Sequence, residues 1–391
     1  MFALYIRHPM AQTTGKHLMQ SQYRLYGVQV SLFAGKVRGY LNYKGLDYQD
    51  KAPTLYDMLR RFPRKVGATV MPVVQTREGE WLADTTEIIE WLETRHPTPS
   101  IRASSPRQAV AAMLFEAWCD DVGHPVALHT RWSFPENYPL FRAEMGQGFL
   151  PYAPRFLQNW VIDKTAAARM RSALPNMGVV PGQVDLLERW IHTLLDMLEL
   201  HFSRHDYLFG GRPTIADYSL LGPLYGHLSL DPWPKRELIA PRPHLKAYIE
   251  RLHRGDSPRS GACGELLPED AIPETLLPVF ELIFSEFYPL LEKTVKSVNE
   301  YIQRKGLQAG DQLPRTFRDI SFPMGDGEYT RGAFSYTLWM MQRIQKQLCA
   351  MPENERASVA DWFAQRGQAD LLEMNFGPEV ERAGLTVRLA E

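Results

Sequence analysis

From Tyr23 the chain reads YRLYGVQV, an apolar strand-like stretch, then SLFAGKVRGYLNYKGL, where Leu32, Val37, Tyr40 and Leu41 recur at helical spacing. This predicts a strand followed by a helix that Gly45 ends, because glycine takes the left-handed closing conformation without a Cβ clash. LDYQ resumes an extended pattern, and after Tyr56 to Arg61 the segment FPRKVGAT reads as a basic loop. Val70 to Pro97 then predicts a strand at Met71 to Val74, a charged turn with Gly79, a strand at Trp81-Leu82 and a helix opened by Asp84-Thr85-Thr86. Strands alternating with helices at this length predict an α/β unit around a mixed sheet of about four strands.

After Pro97-Thr98-Pro99 the pattern becomes helical. PRQAVAAMLFEAWCDDV carries a helix with Pro106 in its first turn, a position that lacks an intrahelical donor anyway. His124 to Trp160 reads as a looser aromatic region, QVDLLERWIHTLLDMLELHF as a long amphipathic helix, and RPHLKAYIERLHR as a short closing one. Thr214 to Asp217 has the spacing of a capping box. Gly255 to Glu265 is a small-residue linker, and the remaining segment is mainly helical, with Gly325-Asp326-Gly327 in a turn-rich loop GDGEYTRG. The expected division is a flexible tail over 1–21, an α/β domain over 22–98, an all-helical domain over 104–254 and a mainly helical extension over 266–391.

Composition narrows the function classes. At 391 residues two or three domains are expected. A net charge of −1 argues against nucleic acid or an anionic membrane as the main partner, and no run of about 18 apolar residues predicts a spanning helix. Cys119, Cys263 and Cys349 are too sparse for a disulfide framework or a zinc site and fit a reducing, cytoplasmic setting. The N-terminus lacks the order of a secretory signal, and Met10 or Met19 are alternative starts.

Two features of the Val70–Pro97 stretch suggest ligand binding. Pro72 removes a ladder donor at a strand start, and Asp84-Thr85 opens a helix whose first N–H groups are unsatisfied and partly positive. Together they suit a small peptide with a carboxylate. Ser31, between a strand and a helix, either caps that helix or donates its hydroxyl proton to a ligand thiolate, lowering the thiol pKa.

These segments in this order, LYGVQVSLFAGKVRGYLNYKGLDYQ, VMPVVQTREGEWLADTTEIIEWLETRHP and RPTIADYSLLGPLYGHL, resemble a cytosolic glutathione transferase over Tyr23 to His253. The resemblance implies a thioredoxin-like domain followed by a helical one, a homodimer, and glutathione as co-substrate without a metal. It implies Ser31 as the thiol-activating hydroxyl before Lys36-Val37-Arg38. Met71 before a cis Pro72 would pair its backbone with the cysteinyl part, and Asp84-Thr85 would hold the γ-glutamyl end. Lys51, Arg64 or Lys65 would meet the glycine carboxylate, with Lys65 preferred. Leu32 stands where a proline is common. Tyr26 is the rival to Ser31, but it falls one residue from the family's tyrosine position and therefore on the other strand face.

Phe33 and Trp118 are candidate pocket residues for a hydrophobic electrophile, and His124 and His129 either join them or belong to the core. His201 and His205 are four apart with no third metal ligand. In the extension, which falls outside the resemblance, Tyr329, Arg331, Tyr336 and Trp339 are possible substrate contacts, the plainer alternative being a structural cover. The implied activity is addition of the glutathione thiol to an electrophile. The alternatives are a non-catalytic binding or scaffold protein and a glutathione-dependent lyase or isomerase.

Overall fold

The computed structural model describes residues 22–256 and 264–391, so the N-terminal tail over 1–21 and most of the expected linker lie outside the described residues. Strands β1 (Tyr23–Tyr26), β2 (Tyr48–Lys51), β3 (Val73–Thr76) and β4 (Trp81–Ala83) form one mixed sheet in the order β2-β1-β3-β4. β1 runs parallel to β2 and antiparallel to β3. It is shorter than its apolar stretch suggested, because Val28 and Val30 leave the sheet for a second small core with Met58, Phe62 and Phe141.

Helix α1 (Leu32–Lys44) begins at Ser31 and ends at Gly45, whose φ of 61° closes it. The first five residues of the segment read as a basic loop are helical instead: a π-turn at Asp57–Arg61 runs into α2 (Phe62–Val66), and only 67–69 is non-helical. Phe62 anchors it between Tyr26 and Trp81, at ring separations of 5.5 and 6.3 Å. One apolar anchor among Arg60, Arg61, Arg64 and Lys65 leaves no helical periodicity to read. Helix α3 (Thr85–Arg95) buries Ile88, Ile89 and Leu92.

The helical layer holds α4 (Pro106–Trp132), α5 (Tyr138–Phe149), α6 (Arg155–Lys164), α7 (Ala166–Ala173), α8 (Val184–Phe202), α9 (Ile215–Pro223), a single turn α10 (Pro232–Pro234) and α11 (Pro243–Arg254). The expected loose aromatic region is therefore largely helical, with α4 continuing through Pro125 to Trp132. α9 opens with the expected capping box, in which Asp217 accepts from the Thr214 N–H at 2.8 Å and also from the Leu208 N–H at 2.9 Å. Helices α1 and α9 approach closely because Gly226, just beyond α9, lies against the Ser31 carbonyl, where a Cβ would stand 2.8 Å from its oxygen.

The extension contains α12 (Leu277–Leu282), α13 (Tyr288–Lys305), β5 (Thr316–Met324), β6 (Gly327–Phe334), α14 (Ser335–Ala350), α15 (Glu353–Ala364), β7 (Val380–Ala383) and β8 (Thr386–Leu389). The expected loop GDGEYTRG is in fact the turn and outgoing strand of the β5–β6 hairpin. Its alternation was obscured because an arginine, Arg331, takes one of the buried positions beside Tyr329 and Ala333. The extension shares the main core: Phe280 meets Phe115 at 6.4 Å and Trp362 at 5.2 Å, and the Trp190 indole donates to Glu286 at 2.8 Å. Each such buried ring contributes roughly 2–3 kcal/mol, which docks the segment firmly.

Many ionisable groups are buried with it. Burial holds His124, His129, His201 and His253 neutral, down to about 4, and pushes the Asp120 and Asp217 carboxyls up to about 6. Between pH 6.5 and 4 the unfolded chain takes up histidine protons that the fold refuses, which lowers stability on acidification. The two carboxyls act in the opposite sense, since the fold binds their protons first as pH falls below 6. His227, held lower still by burial, adds to the histidine side, while Glu87, Glu188, Asp231 and Glu286, also raised by burial, offset part of it; the histidines, shifted furthest, leave a net loss of stability on acidification near pH 5. Urea unfolding at pH 6.5, 5.5 and 4.5 should show this fall in midpoint.

Candidate functional site

The site begins where β3 starts and β4 ends. The Met71–Pro72 bond is cis, and the Met71 N–H has no hydrogen-bond partner among the described residues, which leaves it available for pairing. β4 leads into Asp84, which caps α3 by accepting from the N–H groups of Thr86 at 3.0 Å and Glu87 at 3.4 Å. Asp84 sits at φ 73°, a conformation costing a non-glycine residue of order 1–3 kcal/mol. Strain of this kind persists only where the surroundings over-determine it, and here they do. Arg382 of β7 donates to the Asp84 carboxylate at 2.9 Å while its guanidinium lies 5.2 Å from both the Tyr336 and Trp339 rings. The Tyr336 hydroxyl adds a long contact at 3.4 Å.

Met71, Pro72, Asp84 and Thr85 line a single cavity of about 930 Å³. Its opposite wall is made by Phe33 and His124, and the extension closes it with Arg315, Arg331, Phe334, Tyr336 and Arg382. A volume of this size accommodates a tripeptide-sized ligand with a second small molecule. Thr85 is buried at the first position of α3, and neither its N–H nor its hydroxyl has a partner among the described residues. His124 stacks obliquely on Phe33 at 5.0 Å, and its Nδ1 meets the Asp120 carbonyl at 2.9 Å. Asp121 is engaged by Arg331 and by the Thr337 hydroxyl at 2.6 Å.

The expected residues therefore divide. Met71, Pro72, Asp84, Thr85 and Phe33 come together, and so do Arg331 and Tyr336 from the extension. Ser31 caps α1, its Oγ accepting from the Ala34 N–H at 3.3 Å, which leaves its own proton free to donate; it does not line the cavity. Lys65 is corrected: it is exposed at the end of α2, with Arg64, because Phe62 takes the buried side of that turn; Val66 and Gly67 reach the cavity in its place.

Trp118 is corrected too. It is core, packed on Phe115 at 5.2 Å and Trp190 at 6.2 Å beside a separate void of about 30 Å³. Tyr26 is buried and stacks on Trp81, away from the cavity, and Tyr329 is tied to the Met177 carbonyl at 2.8 Å. His129 pairs with Ser133 at 2.8 Å, and His201 engages Thr275 and the Tyr207 carbonyl. Among the described residues no group of three or more His, Cys, Asp or Glu is placed to hold a metal, and no helix is long and apolar enough to cross a membrane.

Arg169, Arg315 and Arg382 went unread in the sequence. Arg382 alone carried a local signal, since Val380, Val387 and Leu389 alternate about a Gly384 turn, the mark of a hairpin. Nothing local placed that hairpin over α3.

Residues 25–100 match the family described as glutathione S-transferase, N-terminal domain, and residues 181–251 match glutathione S-transferase, C-terminal domain. Among curated proteins the chain is similar to maleylacetoacetate isomerase of Pseudomonas aeruginosa, 25% identical over 253 residues, covering 61% of this chain and 99% of the relative. Among solved structures it is similar to a glutathione S-transferase from Methylobacterium radiotolerans in complex with glutathione sulfonate, with 21% identity, 64% and 99% of the two chains covered and a TM-score of 0.37. A GST-like protein from Pseudomonas syringae covers 81% of this chain and 97% of its own at 17% identity, with a TM-score of 0.42.

Proposed function

We propose that the chain, whose residues 25–100 and 181–251 match the two glutathione S-transferase domains, is an enzyme that binds glutathione in the cavity beneath the extension and activates its thiol toward an electrophilic small molecule. The observation that carries this reading is that the cis Met71–Pro72 edge and the strained Asp84–Thr85 helix start share one cavity. The unpaired Met71 backbone suits the cysteinyl amide of glutathione. Asp84 suits the γ-glutamyl ammonium, and the Thr85 N–H with Arg382 suits the adjoining carboxylate. An ion pair of Asp84 and Arg382 thus offers both charges that an amino-acid head group needs.

Thiol activation is assigned to Ser31 and the positive end of α1: Ser31 stands outside the cavity lining but two positions before the lining residue Phe33, and its hydroxyl proton together with the helix dipole would favour a thiolate that reaches this end of the cavity. Holding that thiolate beside a bound electrophile supplies proximity. A second reading has the support of the Pseudomonas aeruginosa relative, which is an isomerase: thiolate addition to a conjugated double bond, rotation, and expulsion of the thiolate would return glutathione unchanged. The same groups serve both. A homodimer in the cytoplasm completes the proposal and rests on the resemblance and the sparse cysteines alone.

The test pairs calorimetric binding of glutathione with conjugation of 1-chloro-2,4-dinitrobenzene by wild type and Ser31→Ala. Glutathione should bind both proteins within about threefold, while turnover falls by roughly 10²-fold in the variant. Glutathione recovered in full after turnover of a conjugated alkene would favour the isomerase reading. Binding with no Ser31-dependent turnover would leave a scaffold, and no binding at all would remove the proposal.

A further inference from the structure

Three carboxylates line the cavity, and each already has a cation. Asp84 takes Arg382 at 2.9 Å, Asp121 takes Arg331, and Asp120 takes Lys36 at 2.8 Å. Two further guanidiniums lining the same cavity, Arg169 of α7 and Arg315 just before β5, have no carboxylate or hydrogen-bond partner among the described residues. Both residues are exposed and line the cavity. Arg315 is nevertheless held below its ordinary pKa, first by the protein crowded around it and then by the like charges of Arg169 and Arg382. Cations gathered without counter-charge in a concave, partly desolvated wall raise the local positive potential and call for an anion.

Arg169 and Arg315 come from α7 and the segment before β5, and not from the β3–α3 stretch that supplies Met71, Pro72, Asp84 and Thr85 to the same cavity. The charge of Arg315 reaches His124, which contacts Phe33 in the cavity wall. We infer that Arg169 and Arg315 form an oxyanion-recognition site for the second substrate, which therefore carries a carboxylate beside its electrophilic centre. This rests on the glutathione reading above. It departs from a purely hydrophobic acceptor, because the extension contributes a guanidinium where an apolar pocket would place only rings. Arginine suits a carboxylate because its planar fork donates two parallel hydrogen bonds.

The experiment compares calorimetric binding of glutathione, S-benzylglutathione and S-(4-carboxybenzyl)glutathione to the full chain, in wild type, Arg315→Met and Arg169→Met. Wild type should prefer the carboxylated conjugate by about tenfold, the worth of one charge-assisted pair. Either variant should reduce that preference to about twofold or less while glutathione itself moves by less than about twofold. A wild-type preference absent, or intact in both variants, overturns the inference and leaves the function reading standing. If Arg315→Met weakens glutathione as much as the conjugate, the arginines hold glutathione's own carboxylate and the inference is again overturned. Failure of all three ligands to bind wild type would overturn both readings together.

Discussion

Replacing Lys36 by methionine is expected to lower folding stability by about 3–5 kcal/mol at pH 7.5, the usual result of leaving a buried charge without its partner. Lys36 is fully buried and donates to Glu116 at 3.1 Å and Asp120 at 2.8 Å. Burial works against its charge, but the two carboxylates outweigh that and raise its pKa. The Thr86 hydroxyl at 2.8 Å and Arg343 at 3.5 Å also reach Glu116, so one network joins α1, α3, α4 and the extension's α14.

Without Lys36 the Asp120 carboxyl, already pushed up by burial to about 6, rises further. A raised folded-state pKa means the fold favours the protonated carboxyl, so the penalty appears as pH climbs through and above 6. The loss relative to wild type should therefore be smaller at pH 5.5 than at 7.5, and urea unfolding at the two values checks it. Equal losses at both values would mean that Asp120 does not titrate as described.

Replacing Arg382 by alanine has the largest expected effect on binding. Asp84 is only 9% exposed at its side chain, and Arg382 at 2.9 Å is its cation, with Glu87 3.7 Å from the same guanidinium. Removal leaves Asp84 uncompensated, unstacks Tyr336 and Trp339, and takes away the positive half of the proposed head-group pair. Glutathione should bind about 10- to 100-fold more weakly, and amide exchange should quicken across β7 and β8. If Arg382 instead blocks the ligand's place, the alanine variant would bind glutathione more tightly. Calorimetry on the two proteins separates these outcomes.

Much of the α/β and helical layers was legible because their signals are local. Gly45 ends α1, Thr214 and Asp217 form their box, and Asp84 with Thr85 starts α3 from short-range chemistry alone. Where a segment is held by one distant anchor the signal fails: Phe62 makes α2 from a stretch that looks like a basic loop. The β5–β6 hairpin was hidden for a related reason. Arg331 is buried at a strand position that periodicity reserves for apolar residues, and its warrant is Asp121, 210 positions away.

The site shows the same division. Met71, Pro72, Asp84 and Thr85 were readable because they lie within one β-β-α stretch. Arg382 and Arg315 were not, since the topology that folds the extension over α3 and α4 is a long-range property of packing. Phe280, Trp362 and Phe363 set it by burying rings against the helical layer rather than by any pattern near the arginines. Trp118 misled because a tryptophan in a helix looks the same from sequence whether it lines a pocket or fills a core.

The central claim is that glutathione lies along the Met71–Pro72 edge with its γ-glutamyl end at Asp84 and Thr85. A crystal structure of the full chain soaked with glutathione tests it most directly. The account predicts a tripeptide whose cysteinyl amide pairs with the Met71 backbone, whose head group spans Asp84, Thr85 and Arg382, and whose sulfur faces the Ser31 end of α1. Glutathione bound elsewhere, or with its head group away from Asp84, would contradict it.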